Sequence, residues 1–334
     1  PESLRLLLLL RLVDVEPELM QLLEAASAQG PSFDAALLAK VTGQKRLRLL
    51  KRLAVLERRH GIVESAGRSA FRFASHGLWQ VIHEAMQPAR RRELHARCAD
   101  ALRTGEGPLD PEVAFAYVGH MLAAERLGDA CADIPAAIEH ATSQVHAVQG
   151  VAFLERVLAV ERATTPDLQF TAFMQLARLR RLLGQPEAAH AALKCAARAA
   201  ETACAGDLQG RVACELADAA RVAGDTPEAR RHAEQALSLA EAVGSSELRA
   251  QALHTLGAVA GSVGDHARSA DHLREAVALF EQLDDRRGAA ASALELGRVL
   301  QAVGDEPAAG EARAAALAGF RAAGDTRGES AALN

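Results

Sequence analysis

Gly184, Gly224, Gly264 and Gly304 stand 40 residues apart along the second half of a 334-residue chain. A self-similar period of this size marks a stack of supersecondary units rather than a single layered core. The neighbours repeat with the glycines. Asp225, Asp265 and Asp305 follow three of them, and Gln185 follows the first. Seven positions before each glycine stands a small residue (Ala177, Ala217, Gly257, Gly297), preceded by Leu176, Leu216, Leu256 or Leu296. Twelve positions after each glycine stands Ala196, Ala236, Ala276 or Ala316. A glycine takes the left-handed conformation that ends a helix at little cost. The small residues let two helices approach, and the leucines fill the seam. One helix pair cannot bury its apolar face alone, so its neighbours must stack on it. The spacing predicts first helices over 167–183, 207–223, 247–263 and 287–303, and second helices over 186–203, 226–243, 266–283 and 306–323.

Composition agrees with helices. Hydrophobic residues make up 49% of the chain but aromatics only 3%, with one Trp and one Tyr. Sheet proteins lean on aromatic and β-branched residues, whereas Ala and Leu suit closely packed helices.

Residues 17–103 read differently. Helices are expected from Pro17 to Ala28, Phe33 to Val41 and Gln44 to His60, the last with Leu47, Leu50, Leu53 and Leu56 along one face. Gly61 to Ser65 and Ser69 to Phe73 alternate around Ala66-Gly67-Arg68 as a two-strand hairpin. Helices from His76 to Met86 and from Arg90 to Leu102 follow. Three helices and a hairpin in this order make a winged helix.

The Leu-small pair, the Gly-Asp turn and the later Ala resemble the tetratricopeptide repeat (TPR), over about residues 167–323. The period is longer than the usual length of about 34, and the family's aromatic positions are mostly Ala, Leu or Arg here. Residues 111–163, with a turn expected at Gly128-Asp129, read as irregular helical pairs. Two further segments resemble the winged-helix module of STAND-type signalling ATPases. One is Pro1-Glu-Ser-Leu-Arg-Leu-Leu with Leu22-Leu23-Glu24-Ala25-Ala26, Phe33 and Leu37-Leu38. The other is Phe71-Arg72-Phe73-Ala-Ser-His76 with Arg90-Arg91-Arg92-Glu93-Leu94-His95. That resemblance implies a nucleotide-binding domain ahead of this chain and helical repeats after the module. The expected fold class is all-α: an α-α superhelix of TPR-like repeats of period 40, preceded by a winged-helix domain with one small β-hairpin. The expected parts are 1–103 (winged helix), 104–166 (irregular pairs) and 167–334 (superhelix).

Signatures of chemistry are missing. A P-loop needs GxxxxGK[ST], because backbone amides cradle phosphates and the lysine neutralises them. Gly43-Gln44-Lys45 lacks the upstream glycine, and Gly257 to Gly264 lacks the lysine. His83-Glu84 opens an HExxH string whose fifth residue is Gln87, so the second metal ligand is absent. His76 and His83, seven apart on one helical face, are read as packing or capping residues. Cys98, Cys131, Cys195, Cys204 and Cys214 are odd in number and form no CxxC, as in reduced thiols of a cytoplasmic protein. No Ser-His-Asp or Cys-His set assembles from local signatures. Asp284-Asp285 reads as a turn former. The run from Leu4 to Leu12 is too short for a membrane span and lacks a cleavage site. No cofactor, metal or membrane contact is expected, and an enzyme is the least favoured class.

Two surfaces remain. Residues 40–103 hold 15 Lys/Arg against 5 Asp/Glu, inside a chain of net charge -5. Lys45, Arg46, Arg48, Lys51, Arg52, Arg58 and Arg59 crowd one helix, with Arg68 and Arg72 on the hairpin. In a DNA-binding winged helix that helix enters the major groove. Few Asn, Gln or Ser accompany the arginines to read base edges, so docking against a nucleotide-binding domain, as the STAND resemblance implies, or plain solvation is preferred. In TPR-like stacks the first helix of each pair lines the inner groove. Carried onto this repeat, the inward positions are Gln175, Arg178 and Arg181; Glu215, Asp218 and Arg221; Gln251, His254 and Thr255; and Glu295, Arg298 and Gln301. Polar residues on otherwise apolar helices suit a peptide or protein partner. The expected function is a protein-interaction and sensor module of a bacterial-type signalling protein. The alternatives are a DNA-binding regulator using the 44–59 helix and a passive assembly scaffold.

Overall fold

A computed structural model describes residues 8–103, 105, 107–160 and 164–333. The segment Pro1 to Leu7, which carries the start of the STAND resemblance and part of the Leu4–Leu12 run, lies outside the described residues. The chain forms two compact units, Pro1–Thr164 and Thr165–Asn334.

The first unit opens with α1 (Pro17–Gln29), β1 (Ser32–Asp34), α2 (Ala35–Thr42), α3 (Arg46–Arg58), β2 (Val63–Ser65) and β3 (Ala70–Phe73). The expected hairpin is present, with Val63 opposite Phe73 and Ser65 opposite Phe71. A third strand corrects the sequence reading. Ser32–Asp34 pairs antiparallel with β3, Phe33 opposite Phe71, so the sheet order is β1-β3-β2. Phe33 was expected to open a helix. Its ring instead stacks on Phe71 at 5.9 Å and meets Phe73 at 5.6 Å. The helix begins two residues later, where Asp34 Oδ1 accepts the amides of Ala36 (2.7 Å) and Leu37 (2.9 Å), an N-cap. Leu22, Leu23, Leu38, Leu49, Leu53, Leu56, Ile62 and Leu94 are fully buried beneath the sheet and helices. Each such leucine contributes about 2 kcal/mol of burial.

The unit continues through α4 (His76–Ala85), α5 (Pro88–Leu102), α6 (Pro111–Ala123), a 3-10 segment (Leu127–Asp133), α7 (Ile134–Ser143) and α8 (Ala147–Leu158). Gly128-Asp129, expected as a turn, lies inside the 3-10 segment. His76 and His83 both pack against Trp79, at ring separations of 4.8 and 5.5 Å. The Trp79 indole donates to the Ser27 carbonyl at 2.9 Å, which ties α4 to α1.

The second unit is a superhelical stack of paired helices. These are α9 (Pro166–Leu182) with α10 (Pro186–Thr202), α11 (Gly206–Val222) with α12 (Thr226–Val243), α13 (Ser246–Ser262) with α14 (His266–Gln282), and α15 (Arg286–Val303) with α16 (Glu306–Ala323). A ninth helix, α17 (Thr326–Leu333), follows. Gly184, Gly224, Gly264 and Gly304 all have positive φ, between 69° and 89°. The alternate turns do the same with Cys204, Gly244, Asp284 and Gly324, so a left-handed residue recurs every 20 positions. The next helix then starts on a capping side chain: Asp225, Ser245, Asp265, Asp285 and Asp305 each accept an amide three residues on. Helices of 17 or 18 residues, about 26 Å long at 1.5 Å per residue, account for the long period. The small seam residues are needed for close approach. A Cβ on Gly257 would lie 2.6 Å from Leu273 Cγ, and Ser269 Oγ donates to the Gly257 carbonyl at 2.7 Å. Ala196, Ala236, Ala276 and Ala316 are all fully buried. No helix of the described residues is long and apolar enough to cross a membrane.

Candidate binding groove

The first helices α9, α11, α13 and α15 carry the candidate groove residues in successive layers. Repeat register places Gln175, Glu215, Thr255 and Glu295 in one row, and Arg178, Asp218, Ala258 and Arg298 in the next. Side chains join neighbouring helices across the rows. Arg181 donates to Glu215 Oε2 at 2.5 Å, bridging α9 to α11. His254 Nδ1 lies 3.0 Å from Ser292 Oγ, bridging α13 to α15. Other contacts stay within one helix: Arg221 to Asp218 at 3.2 Å and Arg298 to Glu295 at 2.6 Å.

A depression of about 250 Å³ opens between these helices. Glu215, Asp218, Gln251, His254 and Thr255 line it, so five of the twelve expected residues converge on one cavity. Met174 and Arg211 line it too and were missed. The repeat contains the signal that finds them: Arg211 is the position of Gln251 one period earlier, and Met174 that of His254 two periods earlier. Two expected residues are less available than their positions imply. Thr255 is 3% exposed, and its hydroxyl donates to the Gln251 carbonyl. Gln175 is half-buried, and its Oε1 is buried with no hydrogen-bond partner in the described structure. Arg178, Arg298 and Gln301 are exposed.

Electrostatics within the cavity are mixed in sign. Burial lowers the pKa of His254 below the ordinary imidazole value, opposed by the Asp218 and Glu295 carboxylates and aided by Arg221. It is therefore a neutral hydrogen-bonding group at pH 7. Burial pushes the Cys214 thiol up to about 12, which removes it as a nucleophile.

The basic helix α3 divides into two sets. Arg52 bonds Gln44 and the carboxylate of Glu18, Arg59 bonds Glu16 at 3.1 Å, and on the hairpin Arg72 bonds Glu64 at 2.8 Å. Lys45, Arg46, Arg48, Lys51 and Arg58 are exposed without an ion pair among the described residues. Leu47, in their midst, is 69% exposed.

Residues 208–282, from α11 through α14, match the tetratricopeptide repeat family model. No curated protein matches the chain in sequence. Among solved structures, the chain is similar to the Rap conjugation gene regulator of plasmid pLS20 in complex with the Phr* peptide. The identity is 13% and the TM-score 0.55, covering 74% of this chain and 73% of that one. Aspartyl phosphate phosphatase F from Bacillus subtilis is similar at 14% identity and a TM-score of 0.54, over 78% of this chain and 72% of that one. A STAND protein with a tetratricopeptide repeat sensor from Pyrococcus horikoshii is 14% identical with a TM-score of 0.48, over 96% of this chain. The chain spans about half that protein's length, 53%. At these identities the likeness is one of fold. The second unit is thus a tetratricopeptide-like superhelix, with the family's repeats matched at 208–282.

Proposed function

We propose that this chain is a partner-binding sensor module whose superhelical groove takes a peptide or protein segment. The observation that carries the reading is the convergence of Glu215, Asp218, Gln251, His254 and Thr255 from two successive pairs on one cavity. Polar groups that converge on an apolar scaffold provide orientation and specificity. The similar Rap regulator is held in complex with a peptide, which favours a peptide over a small metabolite.

The first unit supports a wider reading. Its order of helix, strand, two helices and two strands is that of a winged helix. A winged helix followed by repeats is the arrangement of a STAND-type ATPase without its nucleotide-binding domain. In that reading residues 1–103 form the switch module, 104–166 a connector and 167–334 the sensor arm of a bacterial-type signalling protein.

The test is retrieval of a partner from a lysate of the source cells on immobilised protein, compared with Arg211→Glu combined with Asp218→Arg, two residues that line the cavity. Arg211 is exposed and Asp218 half-buried, so the fold should persist. A partner retained by the parent and lost by the double variant supports the groove. A partner retained equally by both sinks it.

A further inference from the structure

A second concave surface lies in the first unit. Helices α1, α3 and α5, the end of α2 and Gln44 after it line an open cleft of about 430 Å³. Four arginines line it: Arg48 and Arg52 from α3, and Arg90 and Arg97 from α5. Gln21 and Gln44 add amides, and Glu18 is the one carboxylate in the lining.

The cleft already shows what chemistry it holds. Glu18 sits on Arg52 with most of its own side chain in solvent. Glu93 bridges Arg90 at 2.8 Å and Arg97 at 2.5 Å, and Glu24 approaches Arg90 at 3.8 Å. Three of the four guanidiniums therefore hold carboxylates of the chain itself. Arg48 holds none among the described residues. A guanidinium has five N–H donors in a fixed fork, and each arginine here uses at most two in the protein hydrogen bonds described. Lys45, just before α3, and Arg46 and Lys51 on it stand exposed near Arg48 in the chain, so the field at this surface is positive beyond the local pairs.

We infer that this cleft docks an acidic protein segment, whose carboxylates lie on Arg48 and on the free donors of Arg90 and Arg97. The carboxylates of Glu18, Glu24 and Glu93 interleave the arginines, which disfavours an unbroken row of phosphates. A segment with carboxylates at intervals avoids them. Exposed Leu47 beside the basic residues fits a protein partner and gives a duplex backbone nothing to bind.

The experiment uses the whole chain and fluorescence anisotropy. The probe is a labelled twelve-residue peptide of six Glu alternating with Ser and Leu. The controls are the same peptide with Gln for Glu, a random 20-base-pair duplex and inorganic phosphate as competitor. The Glu peptide should bind, weaken with salt and lose about five-fold or more in Arg48→Gln and in Arg97→Gln. Arg58→Gln, outside the cleft, should leave binding unchanged, and circular dichroism checks that each variant is folded. The inference is overturned by no binding of the Glu peptide, equal binding of the Gln peptide, binding insensitive to both cleft substitutions, or tighter duplex binding lost with the same substitutions. Complete displacement by millimolar phosphate would make the cleft a small-anion site instead.

Discussion

The Phe280 ring occupies the space that a side chain at Gly288 would need: a Cβ built on Gly288 would lie 2.5 Å from Phe280 Cδ1. The next repeat does the same with Phe320 and Gly328. One repeat earlier the sizes are exchanged, with Ala240 and Leu248 sharing a buried cluster. The stack conserves the summed volume of this inter-pair contact and lets its two members trade.

Gly288→Leu should therefore overpack the contact at a cost of about 2 kcal/mol. Phe280→Ala should leave a cavity at a cost of about 3 kcal/mol. The double variant restores the Ala-Leu arrangement of the preceding repeat. It should fall short of the additive loss by at least about 1 kcal/mol in urea unfolding. Strict additivity would mean that the two positions do not share space.

Cys204 and Asp284 adopt φ values of 52° and 53° at turns where Gly244 and Gly324 stand one repeat on. A side chain in the left-handed region costs roughly 1 kcal/mol relative to glycine. Cys204→Gly and Asp284→Gly should each raise stability by about 0.5–1 kcal/mol, and Gly244→Ala should lower it by a similar amount. Thermal unfolding of the three variants checks all three signs.

Ala205 precedes α11 without a side-chain cap, at the repeat position where Ser245 accepts the Leu248 amide at 3.2 Å and Asp285 the Gly288 amide at 2.9 Å. Its backbone is already extended, as a cap requires. Ala205→Ser should add about 1 kcal/mol. An unchanged denaturation midpoint would mean that the α11 amide finds a partner without it.

His95 and His120 face each other across α5 and α6 with Nδ1 atoms 2.9 Å apart, both 9% exposed. Burial, then the charges of His120, His83, Arg156 and Arg91, hold His95 down to about 3, and burial holds His120 to about 4. The unfolded imidazoles titrate near about 6.5. Between that pH and about 4 the unfolded chain binds protons that the folded chain refuses. Stability therefore falls as pH drops, by up to about 1.4 kcal/mol per unit for each group. His120→Gln should flatten the pH 6 to 4.5 stability profile by about one proton. Parallel profiles for parent and variant would remove this pair from the acid response.

The repeat was legible because its signals are local. A helix end needs a left-handed residue, the next start needs a cap, and both recur in sequence at 20-residue steps. The helices of the second unit accordingly stand within one or two residues of their expected bounds. The twelve groove positions followed from register, but register alone does not say which side chains meet. Five line the cavity, while Arg178, Arg298 and Gln301 face solvent.

Local order alone was determined by the sequence: helix spans, turn chemistry, the absence of catalytic signatures and the basic run near residue 50. The tertiary structure decided what depends on segments far apart in the chain. Ser32–Asp34 is too short to read as a strand and becomes one only because β3 lies alongside it. The His95–His120 pair and the Arg48–Arg97 cleft are separated in sequence by 25 and 49 positions and acquire meaning only when α5 packs against α6 and against α1. Hydrogen-bond ladders and charge clusters of that kind are set by chain closure and burial, and no window along the sequence contains both partners.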